Sequence, residues 1–312
     1  MHFGHLRELK RAARGPSGII TALLTPLESD GTVRADALKE LLDLQERAGV
    51  DGVFPLGTMG EGPYLNLTLK RRILRLVAEF CRLPIIVHVG SAVFEETLAL
   101  ARECDEYDNV CGVSAVGPFY YRPDGQGLAN FYGSLAGATE KPVYVYNNPG
   151  RQGYNIGPSA FAAISREVPE VVGLKDTSND LDQVGALVKQ FGNSYQVYGA
   201  GDSLILAQLA LGVRGHICGI GNAFPEVVVE IRDLAREGRT KEAAALQSEL
   251  DAVGNDLGSF NLELAPYKDL LRTRGIDLGV PAKPLRPLSR EEREELERKV
   301  RPFIEKHYPE LA

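Results

Sequence analysis

Short apolar runs alternate with amphipathic stretches along most of this chain, and this alternation constrains its fold more than any other feature. Eight runs of four to seven residues are mostly apolar, as parallel strands covered on both faces are. They span residues 18–24, 52–56, 84–89, 111–116, 142–146, 171–175, 195–198 and 215–219. The stretches that follow them have the helical spacing of apolar residues. Eight strands, each followed by a helix, predict an α/β fold of the (β/α)8 TIM-barrel type.

A doubly wound open sheet is the main alternative, because it also alternates strands and helices. Its first strand is usually followed by a glycine-rich turn, and no such turn follows Leu24. From residue 225 onward the pattern shows only helices, over 226–238, 240–254, 261–274 and 289–306. We therefore predict an N-terminal extension at 1–17, the barrel at 18–238 and a C-terminal helical appendage at 239–312 that packs on it. The proline-rich segment 280–287 is interpreted as a linker or a surface clamp.

The charge and hydropathy of the chain limit the classes of partner that it can bind. Among its 312 residues, 35 Lys and Arg stand against 42 Asp and Glu, a net charge of −7. An acidic chain without a basic block is poorly suited to neutralise phosphates, so nucleic acid is not expected as a partner. No apolar run approaches the roughly 18 residues that span a bilayer, and the first 18 residues lack the apolar core of a signal peptide. We expect a cytoplasmic protein without a membrane partner.

Two neighbouring strand ends carry the main catalytic candidates, because a barrel builds its active site at the carboxyl ends of its strands. Lys175 ends the sixth run. Burial there favours the neutral amine, which can attack a ketone to form a Schiff base; a solvated lysine is the alternative. Tyr146 ends the fifth run, where a phenol can move protons during imine formation. The alternative is a core tyrosine whose hydroxyl is satisfied by a neighbour.

Two further strand ends carry candidate substrate-binding residues. Thr58 lies in the glycine-rich turn after the second run, where its hydroxyl can relay a proton and the backbone N–H groups can bind an anion. The alternative is a tight turn that simply needs glycine. Arg151 follows the fifth run, where a guanidinium can hold a carboxylate through two hydrogen bonds. A solvated surface arginine explains this position equally well.

Motifs for nucleotide and metal binding are missing from the sequence. It contains neither a phosphate-binding G-x-x-x-x-G-K-[ST] loop nor a G-x-G-x-x-G turn after a strand. The five histidines lack metal-ligand spacing. His88 and His216 fall within the third and eighth apolar runs and are interpreted as core residues. We therefore expect neither a nucleotide cofactor nor a catalytic metal.

The sequences at these strand ends, taken in order, resemble the dihydrodipicolinate synthase and N-acetylneuraminate lyase family of pyruvate-dependent Schiff-base enzymes. The resemblance covers residues 15–301 and rests on GIITALLTP at 18–26, GTMGE at 57–61, the loop around Tyr120, YNNPGR at 146–151 and GLKD at 173–176. It implies a TIM barrel, a lyase of the class I aldolase type, and pyruvate or another 2-oxo acid as the small-molecule substrate.

The resemblance also implies roles for individual residues. Lys175 matches the lysine that forms the Schiff base, and Tyr146 matches the tyrosine that shuttles protons to and from the imine. Thr58 matches the hydroxyl residue that links two tyrosines in a hydrogen-bonded relay. Tyr120 matches the second of these tyrosines, which enters the site of the neighbouring subunit. A homodimer at least, and a homotetramer as the expected assembly, follow from that match.

Other matched positions concern substrate binding. Arg151 matches the arginine near the second substrate's carboxylate in the synthases, and Gly201 and Ile217 match positions where backbone groups line the pocket. Met59 departs from the family, whose turn usually carries a second hydroxyl residue there that helps to hold the pyruvate carboxylate. Met59 keeps the backbone N–H but lacks that side-chain donor, which counts against tight pyruvate binding of the synthase type.

Several functions therefore stay open within and beyond this family. Arg151 favours dihydrodipicolinate synthase activity, the condensation of pyruvate with aspartate semialdehyde in lysine biosynthesis. Met59 favours a relative: a 2-keto-3-deoxy sugar acid aldolase, an N-acetylneuraminate-type lyase or a sugar-acid dehydratase. A non-catalytic paralogue that binds a 2-oxo acid is the alternative from another class. Counting against it is the joint presence of Lys175, Tyr146, Thr58 and Tyr120. No separate cofactor is expected, because the imine itself withdraws electrons.

Overall fold

Eight parallel strands form one closed barrel in the computed structural model, which describes residues 15–311. The strands are β1 (Gly18–Thr21), β2 (Gly52–Val53), β3 (Ile85–His88), β4 (Val110–Val116), β5 (Val143–Asn147), β6 (Val171–Asp176), β7 (Gln196–Ala200) and β8 (Gly215–Cys218). Each strand pairs with its neighbours in the sequence, and the barrel closes where Ile20 of β1 lies opposite Ile217 of β8. The predicted TIM barrel is confirmed.

Helices follow the strands and cover the outside of the barrel. They are α1 (Ala35–Ala48), α2 (Leu67–Phe80), α3 (Phe94–Glu103), α4 (Gly125–Ala138), α5 (Pro149–Gln152), α6 (Pro158–Glu167), α7 (Leu181–Phe191), α8 (Ile205–Ala210), α9 (Pro225–Arg236), α10 (Thr240–Gly258), α11 (Ala265–Leu270) and α12 (Arg290–His307). Within the part of the chain described here, no helix is both long and apolar enough to cross a membrane.

Two helices differ from the prediction made from the sequence. The helix predicted over 261–274 begins only at Ala265 and continues as a 3-10 turn from Leu271 to Arg274. Pro266 explains the late start, because proline lacks an N–H and fits only the first turn of a helix. The second difference is α5, a single turn directly after β5 that the sequence pattern did not reveal.

The apolar residues form two clusters, one inside the barrel and one between the barrel and its helices. The inner cluster contains Phe54, Tyr146 and Ile217, which sit toward the carboxyl ends of their strands. The outer cluster is larger and joins the longer barrel helices to the strand layer. A rigid inner layer of this kind fixes the direction of each side chain that projects into the mouth of the barrel.

The C-terminal helices pack on the barrel. Phe224, just before α9, stacks on Tyr308 beyond α12, with 5.5 Å between ring centroids. Of the two interpretations of segment 280–287, the structure shows the surface clamp: the Val280 N–H donates to the Leu27 carbonyl at 2.9 Å. The domain limits at 17/18 and 238/239 stay predictions, and residues 1–14 of the proposed extension lie outside the described part.

Candidate active site

Lys175 and Tyr146 form the centre of the candidate site. They are paired residues on β6 and β5, and both side chains are buried inside the mouth of the barrel. The Lys175 Nζ lies 4.3 Å from the ring centroid of Tyr146 and 4.3 Å from that of Phe54. A buried amine between two aromatic faces is shielded from bulk water and open only toward the barrel mouth.

The hydroxyl of Tyr146 is held in a small hydrogen-bond network. Its oxygen is 3.4 Å from the Thr58 Oγ1, and it accepts a hydrogen bond from the Asn148 side-chain amide at 3.0 Å. Burial by itself raises the pKa of Tyr146, but the positive charge of Lys175 and the hydrogen bonds of Thr58 and Asn148 outweigh it. The pKa of Tyr146 therefore lies below its usual value, which suits a phenol that gives up and regains a proton.

His88 supports the Tyr146 ring from β3. The two rings meet edge to face with 5.7 Å between centroids. The His88 Nε2 accepts a hydrogen bond from the Val116 N–H at 3.1 Å, so Nδ1 carries the proton and donates to the Leu56 carbonyl at 3.0 Å. Burial and the nearby charge of Lys175 lower the pKa of His88 to about 3. The imidazole is therefore neutral, and its role is in packing.

These groups face a cavity of about 510 Å³ at the barrel mouth. The cavity brings together seven of the eight residues predicted for the site: Thr58, Met59, Tyr146, Arg151, Lys175, Gly201 and Ile217. Gly201 has a φ of 105°, and a side chain at this position would also meet the Asn179 side chain. Because only glycine adopts that conformation readily, the backbone of the β7 loop stays directly accessible to a ligand.

Tyr120 is the predicted site residue that does not reach this cavity. Its side chain is 89% exposed, and its backbone has a φ of 77° in the left-handed region. It contacts the ring of Tyr121, which is 80% exposed, with 5.0 Å between centroids. Such exposure leaves both tyrosines available to another subunit. Entry of Tyr120 into a partner's site stays a prediction.

Arg151 lies at the rim of the cavity on α5. Its Nη2 is 2.7 Å from the Glu263 Oε2, and both side chains are about half exposed. An exposed pair of this kind contributes little stability. A substrate carboxylate can therefore replace Glu263 at the guanidinium.

Comparison with known proteins identifies the family. Residues 15–302 match the model of the dihydrodipicolinate synthetase family. The chain belongs to this family. It is 33% identical to the 4-hydroxy-tetrahydrodipicolinate synthase of Porphyromonas gingivalis over 268 residues, which cover 83% of this chain and 87% of the relative. It is 31% identical to the synthase of Listeria monocytogenes serotype 4b over 277 residues, covering 88% and 94% of the two chains.

Solved structures of the dihydrodipicolinate synthetase family and related aldolases share this fold. A variant of the Sulfolobus solfataricus 2-keto-3-deoxygluconate aldolase superposes with a TM-score of 0.86 at 30% identity, covering 93% of this chain and 97% of the aldolase. The 4-hydroxy-tetrahydrodipicolinate synthase of Methylacidiphilum fumariolicum gives a TM-score of 0.85 at 29% identity, covering 95% and 98%. The chain is a lyase of the class I aldolase type.

Met59 occupies the turn where members of the dihydrodipicolinate synthetase family were expected to carry a second hydroxyl. Its thioether packs toward the β8 loop: a side-chain carbon at Gly219 would be 2.9 Å from the Met59 Cε. Gly219 therefore makes room for the longer side chain. The Met59 side chain therefore occupies the place of the expected hydroxyl side chain and forms part of the cavity wall.

Asp202 is one of the polar pocket residues of this family member that were not predicted from the sequence. Its Oδ1 accepts a hydrogen bond from the Gly219 N–H at 2.7 Å, and its Oδ2 accepts from the Ile220 N–H at 3.1 Å and the Tyr267 hydroxyl at 3.0 Å. Burial raises the pKa of Asp202 although these donors oppose the shift. The sequence did contain a signal for this residue, because a carboxylate shortly after a barrel strand lies at the active-site end of the barrel.

Proposed function

We propose that this chain uses Lys175 to form a Schiff base with a 2-oxo acid and then makes or breaks a carbon–carbon bond next to the imine. The observation that supports it most directly is the Lys175 Nζ buried between the rings of Phe54 and Tyr146, with the Tyr146 hydroxyl hydrogen-bonded to Thr58. The lowered pKa of the Tyr146 phenol beside this lysine also favours a catalytic role, because perturbed pKa values cluster at functional sites.

The chemistry divides between the two residues. The Lys175 amine forms a bond to the C2 carbonyl carbon of the oxo acid, and the carbonyl oxygen leaves as water after two protonations. Tyr146 is the group beside the amine that can supply a proton to this oxygen. The resulting cationic imine withdraws electrons, so C3 loses a proton to the Tyr146 phenolate and becomes an enamine carbon. The enamine attacks an aldehyde carbon, and the aldehyde oxygen takes a proton back from Tyr146 as its C=O π bond breaks. Hydrolysis of the imine then releases the product and restores the Lys175 amine.

Pyruvate and aspartate semialdehyde are the proposed substrates, as in a 4-hydroxy-tetrahydrodipicolinate synthase of lysine biosynthesis. Arg151 supports this choice, because its guanidinium at the cavity rim suits the carboxylate of the semialdehyde. A 2-keto-3-deoxy sugar acid is the second candidate. Met59 in the carboxylate-binding turn favours it, since Met59 lacks the side-chain donor expected for the pyruvate carboxylate.

The proposal also covers the assembly of the protein, its location and its use of cofactors. The exposed Tyr120 and Tyr121 favour a homodimer in which these rings cover a partner's surface, and a homotetramer built from two such dimers. We propose a cytoplasmic location, which suits lysine biosynthesis. We also propose that the enzyme needs no separate cofactor or metal, because the imine carries out the electron withdrawal.

Trapping the imine tests the proposal. The protein is incubated with pyruvate, reduced with borohydride, digested and examined by mass spectrometry, and we expect an adduct on Lys175. Absence of an adduct with pyruvate and with 2-keto-3-deoxygluconate contradicts the Schiff-base chemistry. An adduct without turnover of any aldehyde favours a non-catalytic paralogue that only binds the oxo acid.

A comparison of rates then separates the two substrate candidates. We expect condensation of pyruvate with aspartate semialdehyde to have a higher kcat/KM than cleavage of 2-keto-3-deoxygluconate. The reverse preference removes the synthase assignment while leaving the Schiff-base chemistry in place. Both assays use the same preparation, so that a difference in folding cannot explain the ratio.

A further inference from the structure

We infer that Glu61 and Lys268 are positioning residues: their buried ion pair ties the turn that carries Thr58 to the C-terminal helices. The role rests on the proposed function, because it concerns the placement of Thr58 against Tyr146. The two charged residues are 207 positions apart and lie outside the cavity lining. Nothing in the chemistry proposed above uses either of them directly.

The ion pair is completely enclosed by protein. The Lys268 Nζ is 2.6 Å from the Glu61 Oε1, and the two side chains are 1% and 0% exposed. The Lys268 Nζ also donates to the Val280 carbonyl at 2.6 Å, and the Glu61 Oε2 accepts a hydrogen bond from the Ala282 N–H. Charges so deeply buried are tolerated only when they are paired and hydrogen-bonded. The pair therefore joins three segments: the β2 turn, α11 and the surface clamp.

The β2 turn needs such support because its backbone is strained. Leu56 and Glu61 both have a left-handed φ, of 63° and 61°, although neither is glycine. The turn also folds tightly on itself: a side-chain carbon at Gly62, directly after Glu61, would lie 1.9 Å from the Leu56 carbonyl oxygen. Conformations of this kind persist only where the surroundings fix them. Glu61 lies three residues after Thr58, so its anchor is close to the hydroxyl it would position.

The segment around Lys268, residues 263–268, also contacts two other loops of the cavity. Tyr267, next to Lys268 on α11, donates its hydroxyl to Asp202 in the β7 loop at 3.0 Å. Glu263, just before α11, pairs with Arg151 in the β5 loop. The loops after β2, β5 and β7 are thus all contacted from one short stretch, residues 263–268. The C-terminal helices are part of the active-site structure rather than an outer cover.

A second ion pair provides a matched control. Arg274 also joins the C-terminal helices to the barrel, through the Glu226 carboxylate of α9 at 2.7 Å, and its side chain is 9% exposed. Neither Arg274 nor Glu226 lines the cavity or contacts the β2 turn, and the Arg274 Nη1 also donates to the Ala223 carbonyl in the loop after β8 at 2.9 Å. Replacing Arg274 tests the effect of weakened docking without loss of a contact to the β2 turn. Replacing Lys268 tests weakened docking together with loss of the anchor on the β2 turn.

The experiment compares Lys268→Met, Glu61→Gln and Arg274→Met with the unmodified full-length protein. Each variant is assayed well below its own Tm, for the rate of imine formation in a single turnover with pyruvate and for the final trapped fraction. We expect the two variants of the positioning pair to form the imine roughly 10- to 100-fold more slowly, the effect of a misplaced group. The trapped fraction stays near that of the unmodified protein, because Lys175 is intact. Arg274→Met is expected to lower Tm without slowing imine formation.

Equal rates in Lys268→Met and Arg274→Met at matched stability overturn the inference. If Lys268→Met does not fold, the double variant Glu61→Gln with Lys268→Met replaces it, since that protein keeps no unpaired buried charge. Crystal structures give a readout that does not depend on activity. We expect the Thr58 Oγ1 to move out of hydrogen-bond reach of the Tyr146 hydroxyl in the variants. A displaced turn supports the positioning role even if the unmodified protein forms no adduct, and an undisturbed turn contradicts it.

Discussion

Tyr146 and Lys175 lie directly opposite each other on adjacent parallel strands, and the lysine Nζ is 4.3 Å from the centroid of the tyrosine ring. This pairing puts the two groups at the same height in the barrel mouth. The positive charge of the lysine is also one of the causes that lower the pKa of the phenol. Nucleophile and proton donor are therefore coupled electrostatically as well as spatially.

Replacing Lys175 with methionine should abolish catalysis without destabilising the fold. Loss of the nucleophile lowers kcat/KM by roughly 10³-fold or more. The side chain is 5% exposed, and methionine fills the same space without burying an amine, so the free energy of unfolding should be unchanged or higher. Borohydride trapping and urea unfolding measure the two effects. Lys189→Met on α7 is the control, and an adduct of normal yield in Lys175→Met contradicts the assignment.

Removing the Tyr146 hydroxyl should slow every step that moves a proton. We expect Tyr146→Phe to lower kcat roughly 10²- to 10⁴-fold, the usual contribution of a positioned acid or base. Thr58→Val removes a hydrogen-bond partner of that hydroxyl and should lower kcat by a smaller factor. If the two residues act as one relay, the double variant is no slower than Tyr146→Phe alone. Steady-state kinetics of all three proteins decide this, and additive losses contradict a shared relay.

The sequence was most informative where the local pattern alone determines the structure. Continuous apolar runs predicted the strands, because strands buried on both faces have little else along their length. Lys175 and Tyr146 were predictable as candidates since each ends such a run and the carboxyl ends of barrel strands meet at one mouth.

Contacts between distant segments could not be predicted in this way. Nothing near Glu61 or Lys268 in the sequence indicates that the two pair, because the contact depends on how the C-terminal helices pack against the β2 turn. Asp202 was visible only as a polar residue after a strand, since its donors come from the loop after β8 and from α11. The proposed position of Tyr120 depends on a second subunit, which the fold of one chain does not determine.

Tyr120 should affect turnover more than substrate affinity if it completes a partner's relay. We expect Tyr120→Phe to lower kcat roughly 10- to 100-fold through lost proton transfer, with a smaller change in KM for pyruvate. Tyr121→Phe is the matched control, because that ring is the immediate neighbour and is almost as exposed. The mass of each variant in solution shows whether the assembly is preserved. An unchanged kcat in an intact oligomer contradicts the relay between subunits.

Met59 should limit pyruvate binding through its missing hydroxyl. A hydrogen bond to a charged group contributes about 1.5–3 kcal/mol, so Met59→Thr should lower the Kd for pyruvate by roughly 10-fold or more. Met59→Val has the shape of threonine without the donor and separates the hydrogen bond from the change in volume. Calorimetric titration of both variants measures the difference. Equal affinities in the two variants contradict a carboxylate contact at this position.

Acid should destabilise the protein partly through His216, a fully buried residue on β8. Burial and the nearby charge of Lys175 lower its pKa to about 3, whereas the unfolded chain has a histidine pKa of about 6.5. Between these values the unfolded state binds a proton that the folded state does not. The free energy of unfolding therefore falls as pH falls, by about 1.4 kcal/mol per pH unit for this residue. Urea unfolding at about pH 7, 6 and 5 measures this dependence, and His216→Asn should make it shallower by that amount. Equal slopes in the two proteins would show that His216 does not keep a lowered pKa in the folded state.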